Sequence, residues 1–185
     1  MDIKQTDLYW FQLNKEIRVE DVDKFSGNNM HPDRMMTQWV LVLMISGERS
    51  FRVYGENYVV HSGEFFLLPP YVQHCGLQYD NHAAYFAHFQ ATGIQVPPPV
   101  KVDTNHILLP LHGQIPLELP CFDLMEYAIQ HRTLPFSSKN FLSSQIQAIL
   151  YQISSLCKKE SFGVIWKADW PTESYNILMT TKTST

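Results

Sequence analysis

Eight histidines, three cysteines and an arginine that follows a turn are the side chains of this 185-residue chain best suited to bind or activate a small molecule. The histidines, His31, His61, His74, His82, His88, His106, His112 and His131, are scattered, and no pair has zinc-site spacing. A metal centre needs several nitrogen and carboxylate ligands converging on one ion, so the spacing predicts none. Cys75, Cys121 and Cys157 are odd in number and unpaired in spacing, which suits a reducing, cytoplasmic setting better than a disulfide framework. There is no Gly-x-Ser-x-Gly, P-loop or dinucleotide fingerprint, and no carboxylate pair stands out. The expectation is therefore a protein without catalytic residues, metal or cofactor.

What remains is binding chemistry. Arg34 is either a bidentate donor to a sugar or carboxylate, or a solvated residue after a turn. His88 lies on an otherwise apolar segment, as a satisfied core histidine or as a polar anchor in a cavity. A pocket for a small metabolite needs aromatic faces and a few polar groups that fix orientation. Trp39, Phe51, Tyr54, Phe86 and, nearer the N-terminus, Tyr9 and Trp10 supply such faces, although aromatic stripes on strands also build plain cores.

Composition sets bounds on these readings. Hydrophobic residues make up 45% of the chain and charged residues 17%, leaving apolar surface to hide in a core, a ligand cavity or against a partner. A formal charge of −4 is unlike the basic footprint of a nucleic-acid-binding domain. No apolar signal-peptide core opens the sequence and no run is long enough to span a membrane.

The elements that must carry these side chains follow from periodicity. Residues 1–29 read as an N-terminal arm or first strand, with the patch Leu8-Tyr9-Trp10-Phe11 and the turn formers Ser26-Gly27-Asn28-Asn29. Trp39 to Ile45 is a continuous β-prone run, stopped by Ser46-Gly47. Short strands around Phe51–Val53, Tyr58–Val60, Phe65–Leu68 and Tyr85–Phe89 follow, each closed by glycine or proline. This predicts a closed antiparallel barrel or sandwich over residues 30–116. The period then becomes helical, with one helix from about Pro120 to His131, the breaker Leu134-Pro135, and a longer helix from about Ser138 to Lys159. In the longer helix Leu142, Ile146, Ile149, Ile153 and Leu156 form a heptad seam. It packs either on a second subunit or on the chain's own barrel. Residues 117–160 are expected to be a helical dimerisation segment, and 161–185 a linker or tail.

The series Gly47, Gly55, Gly63, Pro69, His74 resembles the cupin superfamily, and more closely the ligand-binding domain of AraC-family transcription regulators. The resemblance rests on His31-Pro32-x-Arg34, the strand ending at Ser46-Gly47, Gly63-Glu64-x-Phe66-Leu67-Leu68-Pro69-Pro70 with His74, and Tyr85-x-x-His88-Phe89. It implies a mainly β, cupin-like jelly-roll barrel followed by two α-helices, a small-molecule effector such as a sugar bound in the barrel, and a homodimer through the C-terminal helix. Arg34, Trp39, His74, Phe86, His88 and Trp10 are the expected ligand-binding residues.

Metallo-cupins carry an early His-x-His pair and a glutamate, and this sequence matches only the later histidine, His74, with Tyr71 where the motif has glycine. A metal-dependent cupin enzyme, a sugar isomerase or dioxygenase, is the alternative that this departure disfavours. In AraC-type regulators a helix-turn-helix DNA-binding part follows the helices, and the sequence ends at Thr185 without it. The expectation is a truncated form, a remnant or a stand-alone sensor, with DNA contact left to a helix-turn-helix domain absent here.

Overall fold

The computed structural model describes residues 9–96, 106–116, 118–133 and 139–169, the last twelve of these by backbone alone. The architecture is mainly β: two antiparallel sheets arranged as a cupin-like jelly roll, with two helices at the C-terminal end. The expected barrel is not closed by a continuous ladder; an eight-stranded and a three-stranded sheet share the work.

The large sheet is organised by one strand. β1 (Trp10–Leu13) belongs to the small sheet, between β9 (Gly93–Val96) and β10 (Ile107–Pro110). β4 (Trp39–Val53) is the spine of the large one. Its first half pairs with β8 (Asp80–Gln90) on one side and β6 (Glu64–Leu68) on the other. Its second half pairs with β5 (Glu56–His61) and β7 (Gln73–Gly76). β2 (Arg18–Asn29) adds to β8, β3 (Arg34–Met35) to β7, and β11 (His112–Gln114) to β6.

The sequence places a stop at Ser46-Gly47, but the strand runs through it. The register of β4 on β8 slips by one residue between Met44 and Ser46, a bulge, so a single bent strand serves two sets of partners. Gly47 holds φ at +72°, and a Cβ there would lie 2.2 Å from the Asn81 carbonyl oxygen. Only glycine allows both the left-handed conformation and that approach. Ser26 to Asn29, expected as a turn, continues β2 to its pairing of Asn29 with Asp80. Genuine two-residue turns do occur at Tyr54-Gly55, both at positive φ, and before β6 at Gly63. Tyr71, which replaces the motif glycine, also holds a positive φ, of 60°.

The helices α1 (Cys121–His131) and α2 (Lys139–Asp169) cover the outer face of the sheets. α2 touches both: Val19 of β2 donates its N–H to Ser143 Oγ at 3.0 Å, and Leu108 of β10 to Ser154 Oγ at 2.9 Å. The heptad stripe is turned into the chain's own core. Leu142, Ile146, Ile149 and Ile153 are buried, and Leu156 is half-buried. Of the two readings of the seam, the intramolecular one describes this structure, because the stripe is the side that meets the sheets. The breaker Leu134-Pro135 and the residues beyond 169 lie outside the described ones, while the α2 backbone extends ten residues past the expected end at Lys159.

Ile149→Ala is expected to lower unfolding free energy by about 2–5 kcal/mol, the range for emptying a buried large aliphatic site. It should leave sedimentation behaviour unchanged. Urea denaturation with analytical ultracentrifugation checks both, since a seam shared with a second subunit would alter the association state.

Candidate ligand site between the sheets

The register of the large sheet decides which side chains face inward. Before the bulge, Val40, Val42 and Met44 share a face with Leu68, Phe66, His88, Phe86 and Ala84 of the flanking strands. After it, the same face carries Gly47, Arg49, Phe51 and Val53, with His82, Tyr58, Val60 and His74 opposite them. Phe51 and Phe66 close the two halves, stacked at 5.0 Å with 6° between their planes. Were the same residues to alternate regularly with no bulge, Arg49 and Phe51 would point outward.

On this apolar floor sits a polar cluster. Arg34 pairs with His74 across β3 and β7, so both face inward. His31 lies against Phe51 at 5.4 Å and against the His74 ring at 5.1 Å. Its place is fixed by Gly76, whose N–H donates to the His31 carbonyl at 3.0 Å. A Cβ at residue 76 would come within 2.6 Å of the His31 nitrogen, so the absence of a side chain lets the two backbones meet. Arg49 lies over the Phe51 ring at 5.2 Å, and Phe86 meets His88 edge-on at 5.5 Å.

Three of the histidines are wired alike. His31, His74 and His82 each donate Nδ1–H to a backbone carbonyl, of Pro32 at 2.8 Å, Val72 at 2.9 Å and Asp80 at 3.1 Å. A carbonyl can only accept, so the neutral ring keeps its other nitrogen, Nε2, as an acceptor. Two of these acceptors are taken by guanidinium groups: Arg34 donates to His31 Nε2 at 3.4 Å and Arg49 to His82 Nε2 at 2.6 Å. Among the described residues His74 Nε2 has no partner, and neither have His88 Nε2, Arg34 Nε and Arg49 Nε, all of them buried atoms.

Electrostatics follow from this burial. Desolvation holds His31 at about 3, with Arg49, Arg34 and His74 nearby adding to the effect. His74, His82 and His88 are lowered too, again mainly by burial. Burial brings Arg49 down to about 10, against the pull of Asp80, so it is a cation at neutral pH. Among the described residues neither guanidinium is in an ion pair. Asp80 is engaged elsewhere, accepting from Ser50 N–H at 2.7 Å and from Gln78 at 2.9 Å. Glu64 is occupied by His112 at 2.8 Å, by Gln114 and by the His61 N–H.

Of the expected ligand residues, Arg34, His74, Phe86 and His88 share the inner face. Trp39 does not. It is one residue out of phase with Val40, packs on Phe11 at 5.3 Å and donates its indole N–H to the Ala91 carbonyl at 3.0 Å. Trp10 belongs to β1 in the small sheet. His31, Arg49 and His82 join the inner face beside these expected residues. The one signal for them is the His31-Pro32-x-Arg34 motif, since Arg49 sits in what reads as a polar turn.

The cluster does not fit a metal ion. Among the described residues no three histidine, cysteine, aspartate or glutamate side chains converge, and a guanidinium stands at the nitrogen His31 would offer. Two surface depressions, of about 530 and 510 Å³, lie apart from the cluster, along Asn14–Arg18 and beside Arg132. No described helix is long and apolar enough to cross a membrane.

The folded His31 titrates near 3 and an unfolded histidine near 6.5. Between those values only the unfolded chain carries the proton, so stability is full above pH 6.5 and falls as pH drops. One such proton is worth about 1.4 kcal/mol per pH unit. His31→Gln is expected to flatten the fall between pH 6.5 and 5 by about 2 kcal/mol in a pH series of urea midpoints.

Comparison with known proteins places this arrangement. Three solved structures resemble parts of it. ToxT of Vibrio cholerae strain SCE256, solved with a bound unsaturated fatty acid, is 7% identical, with a TM-score of 0.40; the match covers 83% of this chain and 57% of that one. The dimethylsulfoniopropionate (DMSP) lyase DddQ of Ruegeria pomeroyi DSS-3 is 12% identical, at a TM-score of 0.33, covering 55% and 58%. A protein assigned as a mannose-6-phosphate isomerase from Ralstonia eutropha JMP134 is 16% identical, at 0.32, covering 44% and 82%. No curated protein sequence matches the chain. The family comparison is direct: residues 23–90, from β2 through β8, match the model of the AraC-like ligand binding domain.

Proposed function

We propose that the chain is the effector-sensing and dimerisation part of an AraC-type regulator of transcription, with a small metabolite bound between the inner faces of the jelly roll. The observation that carries this reading is the set of buried polar atoms with no partner among the described residues, Arg34 Nε, Arg49 Nε, His74 Nε2 and His88 Nε2, above an aromatic floor. A buried donor or acceptor left unpaired is costly, and such groups converge where a ligand is to supply the partner. Phe86, half-buried, offers a face for the C–H groups of a sugar ring. In this reading the domain is cytoplasmic and non-enzymatic, residues 30–116 hold the effector, and DNA recognition belongs to a helix-turn-helix domain.

A thermal-shift screen of metabolites tests the reading. A true effector raises the melting temperature with concentration, by binding the folded state alone, and Phe86→Ala is expected to weaken that response. No response to any sugar, acid or lipid, or stoichiometric iron or manganese together with turnover, would overturn it.

The homodimer is read as forming through residues 117–160. The stripe from Leu142 to Ile153 faces inward, so the dimer surface is the other side of the helix pair, where Tyr127 is 47% exposed and packs with His131 and Phe141. Tyr127→Arg is expected to shift a dimer toward monomer by about tenfold or more in sedimentation equilibrium, the loss typical of a central aromatic. A monomeric wild-type chain at high concentration would remove the dimer from the reading.

A further inference from the structure

The unpartnered atoms of the inner cluster do not all ask for the same thing, and that difference specifies a ligand. Arg34 and Arg49 are donors only, since a guanidinium has no acceptor. Each already has one terminal nitrogen on a histidine, which fixes the plane of the guanidinium, and each has its Nε–H unpartnered. Arg49 is 9% exposed and carries its charge with no ion pair among the described residues. Its nearest acid, Asp80, is tied to Ser50 and Gln78. Arg34, half-buried, is near enough to disfavour the charge on buried Arg49, and two cations so placed are stabilised by an anion.

His74 asks for the opposite. It is 1% exposed, its Nδ1–H is committed to the Val72 carbonyl, and its Nε2 is an acceptor aimed into the same space. Nothing in a bare carboxylate or a hydrocarbon satisfies an acceptor; a hydroxyl does. Arg34 lies across the β3–β7 pair from His74, so the two demands fall within one small molecule. The other charged groups acting on these residues are Asp33 on His74, and Glu20 and Asp21 on His88. Asp33 is held by Gln73 and Glu20 by Gln38 and Gln90.

We infer that the effector is a hydroxylated anion, an acidic sugar or related hydroxy acid, whose carboxylate or phosphate is taken by Arg34 and Arg49 and whose hydroxyl donates to His74. This deepens the proposed sensor reading and rests on it. A neutral sugar would leave buried Arg49 and half-buried Arg34 uncompensated, and a simple fatty acid would leave His74 Nε2 unpartnered.

Isothermal titration calorimetry on the full chain decides between these. The probes are D-galacturonate and D-gluconate as hydroxylated carboxylates, glucose 6-phosphate as the phosphate arm, D-galactose as a neutral sugar and hexanoate as an anion without hydroxyls. At least one of the first three is expected to bind at least tenfold more tightly than both galactose and hexanoate, and which one responds separates carboxylate from phosphate. Arg34→Gln and Arg49→Gln are each expected to weaken that binding by about 10- to 100-fold, the loss of a charged hydrogen bond. Circular dichroism and melting of the free variants show whether they fold, and Arg34→Lys, which keeps the charge, should retain part of the affinity. Preferred binding of galactose or hexanoate would overturn the inference and leave the sensor reading in place. Saturation by none of the five, with no response in the wider metabolite screen, would sink both.

Discussion

Taking a guanidinium out of water is expensive unless its donors are met, and this chain does so fully with Arg49 and in part with Arg34. The usual answer is a carboxylate. Here the acceptors are neutral imidazoles, and they are acceptors only because backbone carbonyls hold their other nitrogens. Much of the local architecture serves that arrangement. Gly76 admits the His31 backbone against β7, the bulge after Met44 turns Arg49 inward, and Gly47 permits the bulge by letting β8 approach. Each is a backbone solution to a side-chain electrostatic problem.

The strand series and the helical pair are legible in the sequence because alternation and heptad spacing report burial directly. The same logic misplaces what depends on register. Trp39 looks like a pocket aromatic, but one residue of phase puts it against Phe11 on the other face. Arg49 looks like part of a polar turn because a one-residue bulge leaves no mark in composition. The stripe from Leu142 to Ile153 has the spacing of a coiled coil, and that spacing equally suits a helix lying on a sheet, as α2 does. His82 is invisible as a site residue for a further reason: its role is to hold Arg49, and no spacing along the chain encodes a partner contributed by another strand, whereas His31 shows through its motif with Arg34.

Charge is sorted along the inner face. At one end Glu64 is fully engaged by His112, Gln114 and a backbone N–H, which closes β11 onto β6. Toward the other end lie Arg34 and Arg49, with histidines that burial keeps uncharged. Phe51 and Phe66 stand between. The Glu64 carboxylate is committed to its own hydrogen-bond partners and, among the described residues, forms no ion pair with Arg34 or Arg49.

The two serine contacts of α2 have a mechanical meaning. Ser143 ties the helix to β2 of the large sheet and Ser154 ties it to β10 of the small one, three helical turns further on. A stiff rod pinned at two points to two plates cannot stay still when the plates change their spacing: it tilts about one pin or gives up the other. α2 continues well past the second pin, to Asp169. A displacement between the sheets too small to alter their hydrogen bonding would therefore be magnified along the part of the rod beyond the second pin.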